Sequence, residues 1–262
     1  MNIYHILQLA DDALILGHRL GEWCGHGPIL EQDIALTNMS LDHLGRARSL
    51  YQYAAELLNN LPVEEKAGLF ASMQLKNHIL SGEAIDEDHL AYQRDEWDFR
   101  NVLLVEQPNT DWAYTVARAL FTDVFNFYYY TELQKSDNTT LAAIAEKSLK
   151  EITYHLRWSS EWTIRLGDGT GESHERMQTA ISDLWVYSGE LMKATGDETI
   201  NPEIIKPQWQ KHIAEILQKA TLQQPADTWM QTGGKDGRHT EHLGYILAEM
   251  QYMQRAYPGM KW

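Results

Sequence analysis

The chain has 262 residues, of which 44% are hydrophobic and 23% are charged, which predicts one large domain over residues 1–262 with a substantial core. Its formal charge of −15 makes binding to nucleic acid or to an anionic membrane surface unfavourable, because both are themselves negatively charged. The single cysteine, Cys24, excludes an internal disulfide bond and fits a protein of the reducing cytoplasm.

Apolar residues recur three and four positions apart from the start of the chain, which is the spacing of an amphipathic helix. Leu7 and Leu14 lie on this stripe, and the first helix is predicted to end near Gly25. The segment has no basic residues before its apolar ones, and Asp11 and Asp12 interrupt them, so we expect no signal peptide. No apolar run approaches the roughly 20 residues that a transmembrane helix needs.

A second long helix is predicted from about Ile29 to Leu58. We expect one stripe along it to face the core, and this stripe consists of Ile34, Asn38, Leu41, Gly45, Arg48, Gln52 and Ala55. Between Asn59 and Asn109 the pattern is shorter and is interrupted by proline and glycine, which predicts two or three short helices.

The third and fourth long helices are predicted from about Asp111 to Gln134 and from about Thr139 to Leu166. A glycine-rich break ends the fourth, and two or three further helices are expected in the last third of the chain. No segment alternates as a strand does. Long helices joined by short turns predict an all-α fold, an antiparallel helical bundle with additional helices.

Four ionisable residues lie on or beside the predicted inner faces of these helices: Asp42, Asp123, Glu151 and His155. A charged carboxylate in a bundle core is costly unless it is paired or binds a metal. The cluster is therefore either a metal or catalytic site, or a structural network in which His155 donates to Asp123 or Glu151.

The number of available ligands favours the structural network. A di-iron bundle uses a Glu from each of two helices and a Glu-x-x-His pair from each of two others. The sequence contains no Glu-x-x-His pair, so we predict no catalytic, cofactor-binding or metal-binding residues. His18 and His43 are expected to be half-buried at the surface. The alternative is an atypical metal site made of Glu22, Asp42, Asp123, Glu151 and His155.

The C-terminal part of the chain carries a second group of candidate residues. Lys235, Arg238, His239 and His242 concentrate positive charge on an otherwise acidic chain and are candidates for docking a partner protein. The other interpretation is a loop that closes the last helix onto the bundle. The adjacent glycines resemble a phosphate-binding loop only superficially, because the spacing and the preceding strand are missing.

Several segments resemble the C subunits of bacterial phenylacetyl-CoA 1,2-epoxidases. These segments are Arg19–Leu57, Asn101–Asn109, Lys150–Trp162 and Thr232–Arg255, in the order expected for that family. Together they cover most of the chain, and the stretch Leu61–Asp88 matches least well. The resemblance implies a ferritin-like helical fold and membership of a multicomponent oxygenase of phenylacetate catabolism.

The same resemblance implies a division of roles. Catalysis and the di-iron centre belong to the A subunit, whereas the C subunit is structural and has no cofactor. The expected partners are that catalytic subunit and the other subunits of the complex. A homodimer of this chain is the other assembly to be considered. Two other functions are to be distinguished from this one: a ferritin-like oxidoreductase with its own atypical metal site, and an independent module that binds CoA esters. For the latter, the sequence offers no basic or glycine-rich cradle for the CoA phosphates.

Overall fold

The computed structural model describes residues 3–196, 198–226, 229–257 and 260, and all regular structure within these ranges is helical. The long helices are α1 (Ile3–Gly21), α2 (Leu30–Asn59), α7 (Trp112–Leu133) and α8 (Thr139–Gly167). The shorter helices are α3 (Val63–Gly68), α4 (Met73–Leu80), α5 (Glu87–Tyr92), α6 (Leu103–Glu106), α9 (Gly171–Ser188), α10 (Lys206–Lys219), α11 (Glu241–Met250) and α12 (Tyr252–Ala256). Single 3₁₀ turns occur at Glu96–Asp98, Gly189–Met192, Pro202–Ile205 and Gly234–Asp236.

The four long helices form the bundle. α1 packs along α2, and α7 packs along α8, and because each pair is joined by a short connection its helices run antiparallel. Contacts between α2 and α8 join the two pairs, while α9 and α10 cover α7 and α8. The predicted all-α bundle is confirmed. None of the helices in the described ranges combines the length and hydropathy needed to cross a membrane.

Side-chain caps explain why α7 and α8 begin where the sequence predicts. The carboxylate of Asp111 accepts hydrogen bonds from the backbone N–H groups of Ala113 and Tyr114 at 2.9 and 3.1 Å. The side chain of Asn138 accepts one from Leu141 at 3.0 Å. Each cap satisfies backbone donors that the first turn of a helix leaves without a partner.

The predicted inner face of α2 is wrong. Ile34 and Leu41 are 52% and 60% exposed, and the buried face of the helix instead carries Leu36, His43 and Leu50. The error has a physical cause, because polar side chains occupy part of the true core face and apolar ones occupy part of the outer face. α2 is thus apolar on two sides, which a single-face pattern cannot describe.

A buried ion pair links the first two helices to the connection that precedes α6. The carboxylate of Asp11 in α1 accepts hydrogen bonds from the Tyr51 hydroxyl at 2.5 Å and from Arg94 Nη1 at 3.1 Å. It also accepts one from the backbone N–H of Arg100 at 2.8 Å. Asp11 and Arg94 are both fully buried, and the guanidinium of Arg94 lies over the Phe99 ring at 4.2 Å. This interaction holds the irregular segment around residues 94–100 against the bundle.

Candidate functional site

Three long helices bring two imidazoles and a carboxylate together in the core. His43 of α2, Asp123 of α7 and His155 of α8 are all buried, and one side-chain nitrogen or oxygen of each lies within 4.8 Å of those of the other two. The two imidazole rings are 4.9 Å apart at their centroids. We call His43, Asp123 and His155 the core triad.

The prediction that His43 is half-buried at the surface is wrong. It is 1% exposed and lies at the centre of the site, because the core face of α2 is rotated from the face that the sequence suggests. The usable signal is its spacing from Leu36, Met39 and Leu50, which together follow the three- and four-residue periodicity of a buried stripe.

Each imidazole of the core triad has one nitrogen engaged by a neighbouring side chain. His155 Nε2 lies 3.0 Å from Oδ2 of Asp42, a half-exposed carboxylate, so this nitrogen donates. Nη2 of Arg46 donates to Nδ1 of His43 at 2.5 Å, since a guanidinium has only N–H donors. Arg46 also lies over the Tyr130 ring at 5.2 Å. The positive charge of Arg46 therefore lies directly beside the core triad.

Burial governs the charge of the core triad. It raises the pKa of Asp123 from 3.8 to about 6, although His155, a hydrogen bond from Ser159 and the charge of Arg46 act in the other direction. Burial also lowers the pKa of His43 well below its ordinary value, and the charges of Arg46 and His155 add to this effect. His43 is therefore neutral at neutral pH.

These contacts assign the hydrogen on each ring. Because Nδ1 of neutral His43 accepts from Arg46, its Nε2 carries the hydrogen and is a donor. Because Nε2 of His155 donates to Asp42, Nδ1 of its neutral form is an acceptor. These two atoms and Oδ2 of Asp123 are buried and have no hydrogen-bond partner among the described residues. When His155 is neutral, the core triad thus presents one donor and two acceptors.

Glu151 lies at the edge of this site and not in the core triad. It is half-buried and lines a groove of about 270 Å³ between α2 and α8, together with Asp42 and Arg46. Burial and the nearby charge of Asp42 raise the pKa of Glu151. Of the four predicted cluster residues, Asp123 and His155 lie in the core triad, Asp42 binds it from outside, and Glu151 faces the groove.

The atypical metal set predicted as an alternative is not brought together. Glu22 is exposed at the end of α1, where its carboxylate accepts from Arg19 Nη1 at 2.6 Å and from the Asn109 amide at 2.8 Å. Among the described residues, the potential metal ligands that lie close together are those of the core triad, and Glu22 is not one of them.

The residues of the site do not fit a di-iron centre. Such a centre in a bundle takes four carboxylates and two imidazoles, whereas the core triad contains one carboxylate. A metal-binding His normally donates its outer N–H to a carboxylate or carbonyl, as His155 does. His43 instead faces a guanidinium, so the lone pair of Nε2 is not available and a positive charge lies next to any metal.

The C-terminal glycine-rich loop surrounds a carboxylate of the protein itself. Glu190 is fully buried, and its Oε1 accepts from the backbone N–H of Gly233 at 2.7 Å while its Oε2 accepts from that of Leu103 at 2.8 Å. A Cβ on Gly234 would lie 2.1 Å from the carbonyl oxygen of Asn101, so this position requires glycine. The loop therefore packs against the bundle and is not open to a phosphate.

Lys235 is not available for docking a partner, which corrects the sequence interpretation. It is 5% exposed, and its Nζ donates to the carbonyl oxygens of Leu191 and Lys193 at 3.3 and 2.6 Å. Burial lowers its pKa, and the charges of Asp12 and Glu190 partly oppose that change. The side chain of Lys235 therefore lies on the inner side of the glycine-rich loop and fastens it to the backbone at Leu191 and Lys193.

The other three predicted docking residues differ in accessibility. The His239 side chain is 2% exposed, with Nε2 donating to the Phe99 carbonyl at 3.0 Å and Nδ1 lying 3.3 Å from Oε2 of Glu106. His242 is half-buried, whereas Arg238 is exposed. Of the four, only Arg238 presents a cation on the surface.

The chain is similar to known proteins over nearly its whole length. Residues 2–262 match the family model described as phenylacetic acid catabolic protein. The chain is also 43% identical over 266 residues to the C subunit of 1,2-phenylacetyl-CoA epoxidase from Escherichia coli strain K12, and the match covers 98% of each chain. The resemblance inferred from the sequence segments is thereby confirmed, as is the ferritin-like bundle. The chain belongs to the phenylacetic acid catabolic protein family.

Proposed function

We propose that this chain is a non-catalytic, metal-free structural subunit of a multicomponent phenylacetyl-CoA 1,2-epoxidase of aerobic phenylacetate catabolism. It docks and stabilises a di-iron catalytic subunit of related fold, and residues 1–262 act as one ferritin-like domain. The name of the Escherichia coli relative supports the assignment to this enzyme. The contacts of the core triad support the structural role.

The contact between Arg46 and His43 is the observation that carries the proposal. A donor on Nδ1 leaves the imidazole without a lone pair on Nε2, so the ring cannot serve as a ligand in the core. The adjacent guanidinium charge adds to the cost of placing a metal cation there. The same contact disfavours the alternative, a ferritin-like oxidoreductase with an atypical metal site.

A water molecule suits the core triad better than a metal. The site presents the N–H of His43, the lone pair of His155 Nδ1 and Oδ2 of Asp123, all buried. A water molecule can accept from the one donor and donate to the two acceptors, which satisfies all three groups. The bundle core would then be held by hydrogen bonds across α2, α7 and α8.

A reconstitution experiment tests the proposed role. The catalytic subunit and the electron-delivery components of a phenylacetyl-CoA epoxidase are assayed with phenylacetyl-CoA, with and without this chain. We expect no turnover by this chain alone and loss of most turnover when it is left out. Full turnover by the catalytic subunit without this chain would contradict the proposal.

A matched variant separates structural from chemical roles. Replacing Asp42 by Asn removes the half-exposed carboxylate at His155 but keeps an oxygen acceptor of the same shape. If the chain is structural, the reconstituted enzyme containing Asp42→Asn turns over at the parental rate. A large loss of turnover with unchanged assembly would instead show that this carboxylate takes part in the chemistry.

A further inference from the structure

An open groove of about 510 Å³ lies between the 3₁₀ turn Glu96–Asp98 and helix α11. One wall carries Glu96 and Trp97, and the other carries Gly244 and Ala248. We call it the aromatic groove, because the exposed ring of Trp97 lines it.

The tryptophan that lines this groove is exposed, as are two tyrosines near it in the C-terminal segment. Trp97, Tyr245 and Tyr252 are 61%, 66% and 62% exposed. Tyr245 of α11 and Tyr252 of α12 belong to the neighbouring helical segment and are not part of the groove lining. Tryptophan and tyrosine dominate the binding energy of protein interfaces, and they are costly to leave in water.

The floor of the groove is rigid. The buried side chain of Gln251 donates from Nε2 to the carbonyl oxygens of Ala91 and Arg94 at 3.2 and 2.9 Å. Its Oε1 accepts from Arg255, whose guanidinium also pairs with Asp95 at 2.9 Å. The side chains of Gln251, Arg255 and Asp95 are therefore satisfied within the chain, and a partner meets a preformed surface.

The charge of the groove identifies its occupant. Asp95 is neutralised by Arg255, whereas the exposed carboxylate of Glu96 has no hydrogen-bond or ion-pair partner among the described residues. Its Oε2 lies 3.5 Å from the position of a Cβ on Gly244, so it overhangs the groove beside Trp97. An anion next to an exposed tryptophan ring attracts a lysine or arginine side chain by charge and by cation–π contact.

We infer that the aromatic groove is a docking surface for another subunit of the oxygenase, and that its occupant is a segment carrying an exposed lysine or arginine between apolar residues. This inference rests on the proposed structural role. A second copy of this chain is a poor occupant, because association would bring together two chains of net charge −15. The exposed Arg238, which precedes α11 in the sequence, is not part of this docking surface.

The glycine at position 244 provides a sharp test. It lies within α11, where leucine is a better helix former than glycine, so Gly244→Leu keeps the helix while its side chain extends across the groove toward Glu96. Gly244→Ala is the matched control, because its added Cβ makes only an ordinary contact at 3.5 Å. Glu96→Lys reverses the charge of the groove without disturbing any contact within the described residues.

The experiment measures binding of the full-length chain to the purified catalytic subunit and to the other purified subunits. We expect Gly244→Leu and Glu96→Lys each to weaken binding to one subunit by about tenfold or more, the loss typical of a blocked interface centre. Gly244→Ala should bind as the parent does, and all three variants should keep the parental melting temperature within a few degrees.

The possible failures are distinguishable. If the parent chain binds no other subunit, the proposed structural role is wrong. If the parent binds but Gly244→Leu and Glu96→Lys bind equally well, the role stands and the aromatic groove is not the docking surface. The exposed apolar residues on the outer face of α2 form a second candidate surface, which the double variant Ile34→Asp/Leu41→Asp tests. Loss of binding in that variant alone would place docking on the outer face of α2.

Discussion

Replacing Asp123 by Asn should change how the stability of the protein depends on pH. The folded protein raises the pKa of Asp123 from 3.8 to about 6, so between these values the native state holds a proton that the unfolded chain has lost. Wild-type stability therefore falls as the pH rises through this window. At 1.36 kcal/mol per tenfold, the loss attributable to this carboxyl is about 3 kcal/mol above pH 6. Asn does not titrate, so the variant does not lose this stability as the pH rises.

Urea unfolding of both proteins from pH 4 to pH 7 measures this difference. The free energy of unfolding of Asp123→Asn minus that of the wild type should rise by about 2.4 kcal/mol across the range, because the unfolded carboxyl is already more than half ionised at pH 4. The subtraction cancels the titration of other groups, and Asp137→Asn in the exposed turn after α7 shows the effect of replacing a surface carboxylate. A difference that stays level would show that the carboxyl is solvated. A difference that falls would show that a cation, such as a metal, holds it ionised.

Three further changes test the packing that supports the site. Asp11→Asn leaves the guanidinium of Arg94 buried without its counter-charge, and urea unfolding should show a loss of about 3–5 kcal/mol; a loss below about 1 kcal/mol would contradict the buried pair. Glu190→Ala should cost about 1–3 kcal/mol for each backbone N–H that it leaves unpaired, and faster amide exchange at Gly233 would report it. Gly234→Ala should lower the melting temperature, because its Cβ would overlap a carbonyl oxygen at 2.1 Å; unchanged melting would place the loop elsewhere.

The sequence predicts the architecture better than the site. Helices α7 and α8 have regular apolar stripes and capping residues at their starts, and their predicted bounds agree with the structure to within one residue. Asp123 and His155 lie on those stripes, so their burial could be predicted. The core face of α2 could not, because His43 and Arg46 occupy it while Ile34 and Leu41 face outward.

Long-range contacts account for the rest. Nothing in the local sequence shows that the glycines around Lys235 enclose Glu190, a residue more than forty positions earlier. Nor does it show that Lys235 turns inward to backbone carbonyls. Charge counted along the sequence therefore overstated the positive surface of the C-terminal segment. The aromatic groove depends on two segments, around Trp97 and Gly244, that meet only in the folded chain.

The metal content of the purified chain tests the central claim most directly. The protein is prepared without chelators, incubated with excess Fe²⁺ or Mn²⁺, passed through a desalting column and subjected to elemental analysis. The guanidinium at His43 and the single carboxylate of the core triad predict well below one metal ion per chain. One or more ions per chain in the wild type, lost on replacing His155 by Ala, would show that the core triad binds metal and that the structural role is wrong.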